Sequence, residues 1–210
     1  QRGQRSPRTG DSRSGATQLR QPAGRIRIHG GSRRGRMIEV PSGDGSRPTG
    51  ARVREPLFNI LTHMEPGMTG STVLDACAGS GALGIEALSH GATHATFFET
   101  DRDALATITD SLRNLNLDDR ATAKRADTCK PSPNRDAPCD IVFLDPPYAS
   151  DIAAMAPGAL VEAGWIGPET LLIVETRRSA PVLPEAGFTE VDCRGYGDTA
   201  LYFLKAAEPA

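Results

Sequence analysis

Hydrophobic residues recur along this chain with two periods, and the points where each period starts and stops outline most of the secondary structure. Ile26 and Ile28 alternate with Arg25 and Arg27, Gly30, Gly31 and Gly35 punctuate, and Met37-Ile38-Glu39-Val40 follows. Alternation broken by glycines predicts a short basic β-hairpin. Residues 41–50 read as loop. From Ala51 onward, Val53, Leu57, Ile60 and Leu61 fall at i, i+4, i+7 and i+8, the spacing of an amphipathic helix that ends before Pro66-Gly67. Pro56 inside that stretch implies a kink, or a helix that begins with Pro56 in its first turn.

From Ser71 the two periods alternate. Short strands are predicted at 72–74, 93–98, 121–126, 141–144 and 171–174, with helices at 82–88, 103–115 and 152–163 between them. Leu105, Ile108, Leu112 and Leu115 form one helical stripe, better read, like Trp165, as core than as cofactor packing. The end changes character: residues 188–193 and 200–204 flank Gly195-Tyr196-Gly197-Asp198, a hairpin signal. A βαβ series closed by a hairpin gives an α/β fold, a mostly parallel, doubly wound sheet with a reversed edge.

Composition narrows the function classes. A membrane helix needs roughly 20 apolar residues, whereas runs such as Ile141–Leu144 and Leu171–Val174 stop after four. Cys77, Cys129, Cys139 and Cys193 show no CxxC spacing, and His29, His63, His90 and His94 do not cluster. Reduced thiols in a cytoplasmic protein without a metal site are the expectation. Charge divides the chain: residues 1–54 hold thirteen Arg against three acidic groups, while residues 55–210 carry 11 basic and 23 acidic groups. A basic arm on an acidic body suits a polyanionic partner. Residues 1–24, with Leu19 as their one large apolar side chain, cannot offset their ordering entropy by burial and are expected to be disordered. Their Arg-rich, acid-poor composition also fits an organelle transit peptide, although no apolar face repeats at helical spacing.

Two motifs carry chemistry. The first, Asp75-Ala76-Cys77-Ala78-Gly79-Ser80-Gly81-Ala82-Leu83-Gly84, follows a strand and opens a helix, with Glu99 at the end of the next strand. Such glycines let the backbone turn tightly beside a ligand, and a carboxylate at that later position can accept from a ribose diol. NAD and S-adenosylmethionine sites share this pattern. Asp75 favours the latter, because a carboxylate repels a pyrophosphate and suits a methionine ammonium.

The second motif, Asp145-Pro146-Pro147-Tyr148, closes the apolar strand 141–144. Two prolines fix φ and remove two donors, so the turn presents acceptors in a stiff geometry. The Asp145 carboxylate and the Pro146 carbonyl can accept the two hydrogens of an exocyclic amino group, whose lone pair is otherwise delocalised into its base. The role is positioning and charge stabilisation rather than prior deprotonation. Tyr148 can stack on the extruded base, an interaction worth roughly 1–3 kcal/mol.

These motifs resemble those of the S-adenosylmethionine-dependent amino-methyltransferases of nucleobases. Further stretches narrow the likeness: Arg27-Ile28-His29-Gly30-Gly31, Arg34-Gly35-Arg36, Arg47-Pro48-Thr49, Arg52-Val53-Arg54-Glu55 and Gly195-Tyr196-Gly197-Asp198-Thr199-Ala200-Leu201-Tyr202. Across residues 25–205 the chain is similar to the RsmD-type family, which methylates a guanine N2 of bacterial 16S ribosomal RNA. It departs from that family's pattern at Cys77, Gly50-Ala51 and Pro56.

The resemblance implies a Rossmann-like class I methyltransferase with a seven-stranded sheet in residues 67–210, an RNA-binding extension in 25–66, and a tail in 1–24. It implies action on 16S rRNA, within a 30S subunit or assembly intermediate, and a monomer is the simpler expectation. Carried over by position, Asp75, Ala76, Gly79, Ser80, Gly81, Glu99, Thr100, Asp127 and Thr128 surround S-adenosylmethionine, whose product is S-adenosylhomocysteine. Asp145, Pro146, Pro147 and Tyr148 are catalytic, and Arg33, Arg34, Arg36, Arg47, Arg52 and Arg54 contact phosphates. The Asp-Pro-Pro-Tyr chemistry serves an adenine N6 equally, so DNA or RNA adenine methylation stays open at this point. An NAD-dependent oxidoreductase and a non-catalytic RNA-binding module are the remaining alternatives.

Overall fold

The structure, a computed structural model, describes residues 24–41, 48–184 and 186–207. Residues 1–23 and Arg47 therefore lie outside the described residues, and the expectations placed on them with it.

The chain opens with strands β1 (Gly24–Arg27) and β2 (Met37–Val40), paired antiparallel, and helix α1 (Pro48–Leu61). It continues through β3 (Thr72–Asp75), α2 (Ala82–Ser89), β4 (His94–Glu99), α3 (Arg102–Asn114) and β5 (Ala121–Arg125). Then come β6 (Ile141–Leu144), α4 (Ile152–Glu162), β7 (Leu171–Arg177), β8 (Phe188–Tyr196) and β9 (Thr199–Ala206). The main sheet has seven strands in the order β5-β4-β3-β6-β7-β9-β8. Five are mutually parallel, and β9 pairs antiparallel with both β7 and β8.

The periodicity explains the layers. β6 is buried at every position and so needs cover on both faces, as a central parallel strand does. One face packs α1, α2, α3 and the β1–β2 hairpin around Leu57, Phe58, Ile85, Phe97 and Ile108. The other packs α4 and Trp165 against Phe98, Val142 and Val174, with Phe98 and Trp165 edge to face at 4.9 Å. Asp101 caps α3, its side chain accepting from the Asp103 and Ala104 N–H groups at 2.9 and 2.8 Å.

Three local expectations shift. α1 starts at Pro48 rather than Ala51 and continues past Pro56 to Leu61, so the proline lies inside the helix and not in its first turn. The closing hairpin is longer than the apolar pattern suggested, because β8 and β9 continue to a two-residue turn at Gly197-Asp198. The β1–β2 hairpin is no loose arm: Ile28 and Ile38 are buried in the same core as Phe97.

In this strand order the chain direction of travel reverses between β3 and β6, whose neighbouring carboxyl ends define the crevice where ligands of such sheets bind. Asp75 ends β3, and Asp145 follows β6 directly.

Candidate active site

A cavity of about 810 Å³ opens at those carboxyl ends. Ala76, Gly79 and Ser80 of the glycine loop, Glu99 and Thr100 after β4, and Asp127 and Thr128 after β5 form one part of its wall. Asp145, Pro146, Pro147 and Tyr148 form another, so the two sequence motifs meet in one space.

The loop is shaped by its glycines. Gly81 sits at φ +75°, where a side chain is strained. A Cβ on Gly84 would lie 2.3 Å from the Phe97 ring, so only glycine lets α2 approach the sheet this closely. Asp75 fixes the loop from behind. Its Oδ2 accepts the Gly84 N–H at 2.9 Å, and its side chain is buried and outside the cavity wall. Burial pushes the Asp75 carboxyl up to about 7, with the Gly84 hydrogen bond opposing and the Glu99 charge adding. Asp75 and Gly81, expected against the cofactor, thus stand one layer back: the tight turn buries the side chain that opens it.

Glu99 lies on the wall and also binds the loop. Its Oε2 accepts the Gly79 N–H at 2.8 Å, and its Oε1 accepts those of Thr100 and Asp101 at 2.7 and 2.8 Å. Asp127 Oδ1 takes the Cys129 N–H at 2.9 Å, while the Thr128 hydroxyl donates to the Ala76 carbonyl. The Cys77 thiol, pushed up to about 12 mainly by burial, is a neutral wall group rather than a nucleophile.

The Asp-Pro-Pro-Tyr turn is held at both ends. The Pro147 carbonyl accepts from the Ser150 N–H and hydroxyl at 3.0 and 2.7 Å. The Tyr148 hydroxyl donates to Glu175 Oε1 at 3.1 Å and lies 2.9 Å from Thr199 Oγ1. Burial foremost holds the Tyr148 phenol above its usual range. The Arg177 guanidinium sits 5.6 Å from the centre of its ring.

The arginines divide differently from expectation. Arg33 donates from Nε to the Leu115 carbonyl at 2.7 Å and from a terminal nitrogen to that of Asn116 at 3.2 Å. Arg36 reaches the Asn114 carbonyl at 3.0 Å. Both thereby satisfy the orphan carbonyls at the C-terminal end of α3. Arg54 is buried, donating from Nε to Glu86 Oε2 at 3.0 Å and from a terminal nitrogen to the Arg27 carbonyl at 2.8 Å. Glu86 also accepts the His29 and Gly30 N–H groups at 2.7 and 2.9 Å. Arg54 is thereby committed inside the protein, which corrects its reading as a phosphate contact, whereas Arg33 stays half-buried and Arg36 exposed. Arg34 and Arg52 are exposed.

Residues that the sequence reading left out also face the cavity. Arg25 and Arg27, exposed on β1, line it, and so does Glu175 of β7. The signal for the arginines was present: alternation with Ile26 and buried Ile28 puts both on the face away from the core. Glu175 was detectable as the first polar residue after the apolar run 171–174. Among the described residues no helix is long and apolar enough to cross a membrane.

Sequence comparison decides the family. A profile of the family described as conserved hypothetical protein 95 matches residues 26–205. The chain belongs to that family. It is 36% identical over 173 residues to the ribosomal RNA small subunit methyltransferase D of Haemophilus influenzae, covering 79% of this chain and 86% of that protein. Against the protein of the same name from Escherichia coli K12 the identity is 38% over 164 residues, covering 77% and 81%. The solved structure of the putative methyltransferase yhhF from Escherichia coli superposes with a TM-score of 0.73 at 34% identity, covering 87% of this chain and 98% of that one. The fold is thus the Rossmann-like methyltransferase fold that the motifs implied.

Proposed function

We propose that this protein is an S-adenosylmethionine-dependent ribosomal RNA methyltransferase that modifies the exocyclic N2 of a guanine in 16S rRNA. The observation that carries the reading is the shared cavity: the glycine loop and the Asp145-Pro146-Pro147-Tyr148 turn face one space, as a donor site and an acceptor site must. The relatives named for small-subunit rRNA methylation support the substrate class.

The residues fit the cofactor. A volume of about 810 Å³ takes a ligand of that size. In this reading the backbone of Ala76, Gly79 and Ser80, the Glu99 carboxylate, Asp127 and Thr128, all on the cavity wall, would hold the cofactor, Glu99 through its ribose and Asp127 and Thr128 through its adenine. When bound, S-adenosylmethionine supplies a methyl group activated by its sulfonium.

The chain's own groups do the rest. Asp145 and the Pro146 carbonyl accept the two hydrogens of the target amino group and aim its lone pair across the cavity. Tyr148, anchored through its hydroxyl, gives the extruded base a rigid face to stack on. Asp145 then holds the proton that the alkylated nitrogen releases. Arg25, Arg27, Arg34 and Arg52 are the phosphate contacts of this reading, in a protein that works as a monomer on 30S particles in the cytoplasm.

Transfer of labelled methyl groups to 30S particles and to DNA, followed by nucleoside analysis, tests it. N2-methylguanosine in 16S rRNA is the expected product. N6-methyladenosine, or label in DNA alone, would overturn the reading.

A further inference from the structure

A carboxylate other than Asp145 faces the acceptor end of the cavity. The parallel register of β6 and β7 ends at Leu144 opposite Val174, so Asp145, the first residue beyond β6, and Glu175, still within β7, follow side by side. Neighbouring strands lie about 4.8 Å apart. Both side chains line the main cavity, and both border a smaller recess walled by Leu57, Leu83 and Leu201.

Glu175 is also held in place. Tyr148 has one hydroxyl proton, and a carboxylate can only accept, so that proton goes to Glu175 Oε1 at 3.1 Å. Thr199, with no exposed surface, must then donate into the Tyr148 oxygen at 2.9 Å. The relay Thr199 to Tyr148 to Glu175 ties the second carboxylate to the stacking ring of the catalytic turn.

Resting on the guanine reading above, we propose that Glu175 is a specificity-determining residue that accepts the N1–H of the target guanine while Asp145 accepts from its N2 amino group. The chemistry of the two purines makes the choice. The Watson–Crick edge of guanine presents N1–H and the N2 amino group side by side, both donors, which matches two adjacent acceptors. Adenine presents its amino group beside N1, a lone pair, which a second carboxylate repels. Adenine is rejected because the mismatched base sets an acceptor against an acceptor.

2-Aminopurine separates this role from support of Tyr148. It keeps the 2-amino group and lacks the N1–H. The experiment first locates the methylated guanosine, then uses 30S particles reconstituted with either guanosine or 2-aminopurine at that position. Single-turnover rates are compared for wild type, Glu175→Gln and Thr199→Val. Wild type is expected to prefer guanosine at least tenfold, the scale of one charged hydrogen bond.

Glu175→Gln keeps an acceptor for the Tyr148 hydroxyl and adds an amide donor that can serve a bare N1. It should slow guanosine at least tenfold, leave 2-aminopurine unchanged or faster, and so collapse the preference. Thr199→Val loosens the Tyr148 anchor and should slow both bases alike. If Glu175→Gln slows both bases by the same factor, or wild type shows no preference, the proposal is wrong while guanine methylation stands. If the product is N6-methyladenosine, the guanine reading itself fails, and this inference with it.

Discussion

Arg54 Nε donates to Glu86 Oε2 across 3.0 Å, with the two side chains only 4% and 1% exposed. The pair joins α1 to α2, and through the His29, Gly30 and Arg27 backbones it fastens the β1–β2 hairpin to the methyltransferase sheet. Removing one partner of a buried pair strands the other charge, at a cost of roughly 3–5 kcal/mol. Arg54→Ala should therefore lower the urea midpoint sharply. An unchanged midpoint would show that the ion pair contributes nothing.

Glu86 also sets an acid limit. Burial pulls its carboxyl upward, but hydrogen bonds from His90 and Gly30 and the Arg54 charge outweigh burial and hold it below its ordinary 4.5. A depressed carboxyl contributes stability that is complete above pH 4.5 and fades as pH falls through the lower folded value. Urea titrations between pH 3 and 6 should show this slope in wild type and lose part of it in Glu86→Gln.

Asp75 acts in the opposite sense. Its carboxyl rises from 3.8 to about 7, so its protonated form is favoured by folding. That contribution is full below pH 3.8 and is lost as pH climbs through 7, a difference of roughly 4 kcal/mol at most. Asp75→Asn keeps an oxygen for the Gly84 N–H and carries no charge to bury. The variant should gain stability over wild type at pH 8 and match it near pH 4, read from thermal midpoints at both values.

Glu99→Ala should weaken S-adenosylmethionine binding by about 1.5–3 kcal/mol, the range for a charged hydrogen-bond partner. Glu99→Gln should lose less, because the amide oxygen can still accept the Gly79 N–H that holds the loop. Titration calorimetry giving wild-type affinity for the alanine variant would remove Glu99 from the cofactor site.

Asp145→Ala should slow methyl transfer at least a hundredfold, roughly 2.7 kcal/mol in barrier, with cofactor binding little changed. Asp145→Asn should keep more activity, since its amide oxygen still accepts. Tyr148→Phe should cost more than loss of a bare hydroxyl suggests, because that hydroxyl bridges Glu175 and Thr199. Single-turnover rates for Asp145→Ala equal to wild type would end the mechanism.

The arginines should separate into two kinds under one assay. Neutralising Arg25 and Arg27 should flatten the salt dependence of RNA binding by nearly one unit of slope per charge, with thermal midpoint unchanged. Arg33→Ala should do the reverse, costing about 1 kcal/mol of stability through the uncapped end of α3. Equal salt slopes for the two variants would undo this division.

Why the arginines misled is visible in α1. Arg54 stands at i, with Leu57, Phe58 and Leu61 at i+3, i+4 and i+7, so it rides the apolar stripe. Its partner Glu86 is the single carboxylate in the apolar run of α2. Arg54 alone reads as a surface charge, and only with Glu86 does it form a buried pair. By contrast β6, β7 and α3 were legible because unbroken apolar runs and a clean stripe leave few alternatives. The glycine loop and the Asp-Pro-Pro-Tyr turn were legible because glycine and proline constrain the backbone locally. Whether Asp75 pointed into the cavity or behind the loop depended on Gly84 nine residues on, a tertiary contact that no spacing encodes.

The hairpin that carries Arg25 and Arg27 is built into the core through Ile28 and Ile38, not hung from a linker. Its arginines and the Asp145 turn therefore form a gauge of constant length. On the proposed function, an RNA strand held by these arginines would offer to the cavity only a nucleotide at one fixed offset along its backbone. Folded shape in the RNA, more than the letters around the target, would then decide which base arrives.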